Sequence, residues 1–184
     1  MEPLDLERVY RFSQGWRRTA LYLNPQFPRE LNLVAVARGE ARLNSTLVYT
    51  YHSGSRLYDV VGSSGLTPVS DRVIAVLEKF TGWTTFPVEL HGKGGEVIPG
   101  YHGLAVTGRC GPLDRKTGRR MWRDRPSERI GETRFLYWFD PLSWDGSDIF
   151  CAGDTALTFV VEDLYKELKR AKITNLSLCP LPNS

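Results

Sequence analysis

The sequence predicts an α+β fold: a mixed β-sheet with two principal helices, arranged as two related strand-helix-strand repeats after an N-terminal β region. Three observations carry this expectation. Apolar residues recur at three- and four-residue spacing in two clear stretches. β-branched and aromatic runs set off by Gly, Pro and Asn fill much of the remainder. A shift of 91 residues lays one helical stretch over the other without a gap.

Taken in order, "TALYLN", "LNLVAVA" and "STLVYTYH" read as strands separated by the turn-rich "PQFP" and "ARGEARLN". "VSDRVIAVLEKFTG" then changes period. Val73, Ile74, Leu77 and Phe80 share a helical face, Ser70 is placed to cap the first turn, and Gly82 stands where the helix would stop. "TTFPVEL" and "GYHGLAVTG" return to strand character on either side of "HGKGGE", which reads as a hairpin connection. "SWDGSDIF" reads as a turn at Asp145 and Gly146 running into a short strand at Ile149 and Phe150. "RFLYWFDPLSWDG" reads as a two-sided apolar strand needing cover on both faces. In "VVEDLYKELKRA", Val161, Leu164, Tyr165 and Leu168 face inward, with acids at the start and bases at the end, as the helix dipole favours.

The 91-residue shift matches Leu66 with Leu157, Thr67 with Thr158, Val69 with Val160, Leu77 with Leu168 and Leu90 with Leu181. Upstream, Asp59 and Asp148 each precede a short apolar strand, in a register differing by two. The expected organisation is a β-rich part over residues 1–55 and a repeat-bearing part over 56–184, with repeats at 56–90 and 147–181, all in one compact domain.

Several chemistries lack their motif. The N-terminus has no apolar run of signal-peptide length, and no stretch approaches the roughly 18 apolar residues of a spanning helix. Cys110, Cys151 and Cys179 form no C-x-x-C pair and are odd in number, which points to a reduced, cytoplasmic protein without structural zinc or disulfides. From Asp145, the sixth and twelfth positions of a calcium loop would be Phe150 and Leu157, so neither the glycine nor the glutamate is there. "HGKGGE" lacks the Lys-Ser/Thr of a phosphate loop, and no G-x-S-x-G elbow is present. His52 and His102 each follow a tyrosine in a strand, where a half-buried structural imidazole is the expectation. No catalytic residue, metal ligand or cofactor is assigned.

The charge is local. Between Arg109 and Arg129 eight basic residues face three acidic ones, giving +5, so the rest of a chain of net +3 carries −2. This segment reads either as a solvated connection or as a contact surface, because Trp122 stands between arginines in a composition typical of binding hot spots. The candidate partner-contacting residues are Arg119, Arg120, Trp122 and Arg123, joined by Trp144 and Asp145 at the turn beyond Pro141. A single tryptophan falls short of a stacking platform for single-stranded nucleic acid.

The repeat "SDIFCAG…LTFVVEDLYKELKRAKITNLSLCPL", with its first copy "LTPVSDRVIAVLEKFTGWTTFPVEL" and the Leu113-Asp114 step in "YHGLAVTGRCGPLDRKTG", resembles the eleventh immunity-protein family of bacterial polymorphic toxin systems. The resemblance covers residues 56 to 181. Val161 stands where the second helix of the family pattern has Ser, and Asn175 where it has the Gly of a Thr-Gly step. The resemblance implies a protein that neutralises a cognate toxin by direct binding and performs no chemistry. The alternative from the residues is a nucleic-acid-associated protein or small enzyme using the loop 109–129.

Overall fold

Val73 and Leu77 lie four apart on one turn face, as do Leu164 and Leu168, and all four are buried. That shared pattern places two helices over one core. A computed structural model describes residues 3–28, 30–43, 45–122 and 137–181. After a 3-10 turn at Leu6–Arg8 come β1 (Val9–Gln14), β2 (Tyr22–Gln26), α1 (Leu33–Ala37), β3 (Leu47–Ser53), β4 (Gly62–Ser63) and β5 (Pro68–Ser70). Next are α2 (Asp71–Leu77), β6 (Trp83–Phe86), β7 (Val88–His91), β8 (Val97–Ile98), β9 (Tyr101–Val106), β10 (Gly108–Cys110) and α3 (Arg115–Trp122). A 3-10 turn at Pro141–Ser143 precedes β11 (Ile149–Ala152), β12 (Thr158–Val161), α4 (Glu162–Arg170) and β13 (Leu176–Pro180).

The fold is α+β. Among the described residues the strands form three sheets, ordered β10-β11-β12-β1-β13, β5-β9-β6 and β4-β2-β3-β7-β8. The first is antiparallel apart from the β10-β11 pair, and the third mixes both senses. One core lies between the first two sheets and their helices, and contains Val69, Val73, Leu77 and Leu104 with Ile149, Val160, Leu164 and Leu168. On the other face of the first sheet, Phe150 and Phe159 pack with Tyr137, Phe139 and Leu181. The third sheet encloses its own cluster around Leu23, Tyr49, Phe86 and Leu90.

The repeat is a structural one. Ser70 and Val161, 91 residues apart, occupy the helix N-cap positions with the same φ of −73° and ψ of 163°. Asp59 accepts hydrogen bonds from the Thr174 N–H (2.9 Å) and hydroxyl (2.7 Å). Asp148 accepts the matching pair from Thr81, at 2.8 and 2.9 Å. The backbone repeats the exchange: Val60 N–H donates to the Thr174 carbonyl and Ile149 N–H to the Thr81 carbonyl, both at 3.2 Å. Each half therefore supplies the aspartate that holds the other half's threonine. This is the reciprocal contact of a twofold dimer, realised within one chain.

One strand of the second half comes from elsewhere in the chain. β9 lies between β5 and β6, and in the corresponding slot between β12 and β13 lies β1, from residues 9–14. His102 opposes Val69 as Tyr10 opposes Val160. Gly108 N–H donates to the Gly82 carbonyl as Gly15 N–H does to that of Asn175. Gly82 and Asn175 both hold positive φ, +94° and +57°, so Asn175 fills the left-handed position at which Asn is the tolerated alternative to Gly.

Four expectations change. "LNLVAVA" contains helix α1, because the Asn32 side chain accepts from Ala35 N–H and caps the turn. Ser70 makes no capping bond; its hydroxyl donates to Asp59 at 2.9 Å. Part of the basic segment is helix α3, started by Asp114, whose Oδ1 accepts from the N–H groups of Lys116 and Thr117. Residues 137–140 are not a strand, and Phe139 is buried against Phe150 and Phe159. Phe135 and Leu136 lie outside the described residues.

Candidate binding surface

Reactive side chains are engaged within the fold. His102 Nε2 lies 2.7 Å from Asp71 Oδ1, His91 Nε2 lies 2.6 Å from Glu89, and His52 pairs with Asn24 at 3.3 Å. Cys110 and Cys151 are buried on neighbouring strands. Burial pushes the Cys110 thiol up to about 12 and also raises that of Cys151, so both stay protonated near neutral pH. No cluster of three His, Cys, Asp or Glu side chains with metal-binding geometry occurs among the described residues.

The residues assigned to a partner from the sequence divide into two groups. Arg119 and Arg120 are exposed on α3, beside an exposed Met121. Trp122 ends that helix, and Arg123 lies outside the described residues. Trp144 and Asp145 serve the fold. The Trp144 indole N–H donates to the Ser147 carbonyl at 2.9 Å and its ring lies 6.3 Å from that of Phe150, so it plugs the sheet end. Asp145 accepts from the N–H groups of Arg109 (2.7 Å) and Ser147 (3.0 Å), tying the turn to β10. Arg109 is likewise internal, donating to the carbonyls of Arg38, Val106 and Gly108.

A different surface gathers arginine and aromatic side chains from distant parts of the chain. The loop after β1 holds Trp16, 86% exposed, followed by Arg17 and Arg18. That loop is bonded to the one after β3, since Ser55 and Arg56 N–H both donate to the Thr19 carbonyl, at 3.1 and 2.9 Å. Arg17 lies 5.4 Å over the Tyr58 ring. A hydrogen bond with the Thr19 hydroxyl, opposed by burial and helped by Arg56 and Arg17, lowers the Tyr58 pKa below its ordinary value. Next to Tyr58, the Asp59 carboxylate is consumed by Thr174, Ser70 and Arg72. Arg17, Arg18 and Arg56 form no ion pair among the described residues.

Beneath this loop is a cavity of about 170 Å³ lined by Gly15, Trp16, Arg17, Arg18, Tyr22 and Asn175, among others. Asn175 donates from Nδ2 to the Val60 carbonyl at 2.8 Å, while its Oδ1 is buried without a partner. An unmatched buried acceptor of this kind costs on the order of 1–3 kcal/mol. Sequence reading missed this surface because Arg17, Arg18 and Arg56 are scattered through segments of near-neutral average charge. The adjacency of Trp16 to two arginines was the available signal.

Compared with known proteins, the chain matches no family model and no curated relative. No helix among the described residues is long and apolar enough to cross a membrane.

Proposed function

We propose that this chain is an immunity protein that neutralises a cognate bacterial toxin in the cytoplasm by direct protein-protein binding, without chemistry of its own. The observation that supports the reading best is how the repeat spends its polar groups. Asp59, Asp148, Thr81 and Thr174, the residues that recur between the halves, hold the halves together. The exposed arginines and Trp16 are left facing solvent. Such a division suits a rigid scaffold presenting a surface, and Trp and Arg are the residues that dominate interface energetics. The resemblance of residues 56 to 181 to the eleventh immunity family of polymorphic toxin systems points the same way.

Growth is the test. The variable C-terminal domain of a large secreted protein encoded beside this gene is expressed in a sensitive host, with and without the chain. Rescue together with a stable complex on size-exclusion chromatography is the expected result. Rescue without complex formation, or no rescue from any toxic neighbour, overturns the reading. Tight binding of plain duplex DNA at physiological salt would instead favour a nucleic-acid-associated protein.

A further inference from the structure

We infer that the surface formed by Trp16, Arg17, Arg18, Arg56 and Tyr58 is a docking site for an acidic polypeptide segment of a partner protein. The inference names the partner-contacting surface, and so rests on the binding reading above.

Three features select this occupant. The first is charge. Three arginines without an ion pair among the described residues converge from two loops that are hydrogen-bonded to each other. The Asp59 carboxylate, next in the chain to Tyr58, is consumed by its own partners, and Asp71 is bonded to His102. Guanidinium forks match carboxylates in bidentate pairs, and each pair leaves the surface better satisfied than water alone does. The second feature is Trp16. Its 86% exposure beside a 170 Å³ cavity that it also lines is the arrangement of an anchor awaiting a cover. The third feature separates polypeptide from DNA. The surface is confined to two loops, after β1 and after β3, whereas a duplex binder spreads its contacts over many phosphates.

The probes are poly-L-glutamate and a 20-base-pair duplex DNA, titrated at low salt and followed by tryptophan emission. Trp16→Phe serves as the blank that isolates the Trp16 signal from the other four indoles. Wild type is expected to bind poly-L-glutamate saturably with a Trp16-dependent change. Arg17→Glu/Arg18→Glu, at two exposed positions, is expected to weaken binding at least tenfold with an unchanged circular dichroism spectrum. As a control, Arg119→Glu/Arg120→Glu on α3 is expected to leave the Trp16 signal intact. Absence of a Trp16 response, equal binding by the Arg17/Arg18 variant, or tighter binding of the duplex overturns the proposal. The toxin experiment separates the two readings. A complex that forms with the toxin and is indifferent to Trp16→Ala and Arg17→Glu/Arg18→Glu keeps the immunity function and removes this surface from it.

Discussion

Asp59→Ala is expected to be far more damaging than the equivalent Asp148→Ala, although the two aspartates occupy matching places in the repeat. Both hold a threonine N–H and hydroxyl at 2.7–2.9 Å. Asp59 alone adds the Ser70 hydroxyl at 2.9 Å and Arg72 at 2.9 Å, and its side chain is 7% exposed. Hydrogen bonds to a charged acceptor contribute about 1.5–3 kcal/mol each, and a donor stranded in the interior costs about 1–3 kcal/mol. The Arg72 pair adds less than about 1 kcal/mol, since that guanidinium is 59% exposed and rehydrates when released. Because the bonds share one acceptor, their losses do not sum fully, and the expected cost is about 3–5 kcal/mol for Asp59→Ala against about 1–2 for Asp148→Ala. For a chain of this size the former corresponds to a fall in Tm of about 10 °C. Urea unfolding of the three proteins, read by circular dichroism, measures both values. A cost below about 1.5 kcal/mol for Asp59→Ala, or one no larger than that for Asp148→Ala, would refute the assignment of Asp59 as the main latch. The pH dependence gives a second check. Burial opposes ionisation of Asp59, but hydrogen bonds from Thr174 and Ser70 and the charge of Arg72 outweigh it and lower the folded pKa. A depressed folded pKa stabilises above the unfolded value of about 3.9 and is lost as pH falls through the folded one. The stability gap between wild type and Asp59→Asn is therefore expected to be full at pH 6 and to narrow below pH 4.

Other substitutions test separate parts of the fold. Val161→Ser, which restores a preferred capping residue, is expected to destabilise by about 1 kcal/mol rather than stabilise, because Ser70 in the same geometry makes no cap and Val161 packs against two cores; denaturant midpoints give the sign. Trp144→Ala is expected to cost about 2–3 kcal/mol, somewhat under the range for a fully buried ring, and a loss under 0.5 kcal/mol would return Trp144 to the exposed surface. Cys110 and Cys151 are expected to resist a thiol reagent at pH 7.5 in the native protein and to react at once in guanidinium, a contrast followed by absorbance and peptide mapping.

What the sequence revealed follows from how locally each feature is encoded. The repeat could be read because core residues such as Val73 and Leu164 keep their place in both copies, and a fixed shift superimposes them. Asp59 and Asp148 are legible as strand starts, whereas their cross-half threonines are not, since nothing near Asp59 in the chain announces Thr174. The valines of α1 favour a strand in the sequence, and the single cap that decides otherwise is Asn32. α3 has no apolar stripe to betray it, so from the sequence the basic segment reads as a solvated connection or a contact surface and not as a helix. The Trp16 surface is assembled from residues about 40 positions apart, and averaging charge over windows dissolved it.

The placement of β1 has a consequence for the order in which the chain is completed. Synthesis releases Val9 about 150 residues before its partner Val161. The first half, whose β5, β6 and β9 lie within 40 residues of one another, has all its strands early. The second cannot close until its far end leaves the ribosome, so one edge of the nascent chain carries Tyr10 and Phe12 unpaired for most of translation. Closing so long a loop is slow compared with forming local contacts. Nascent-chain proteolysis would show this as a first half protected early and an N-terminal segment that becomes resistant only when β13 has emerged.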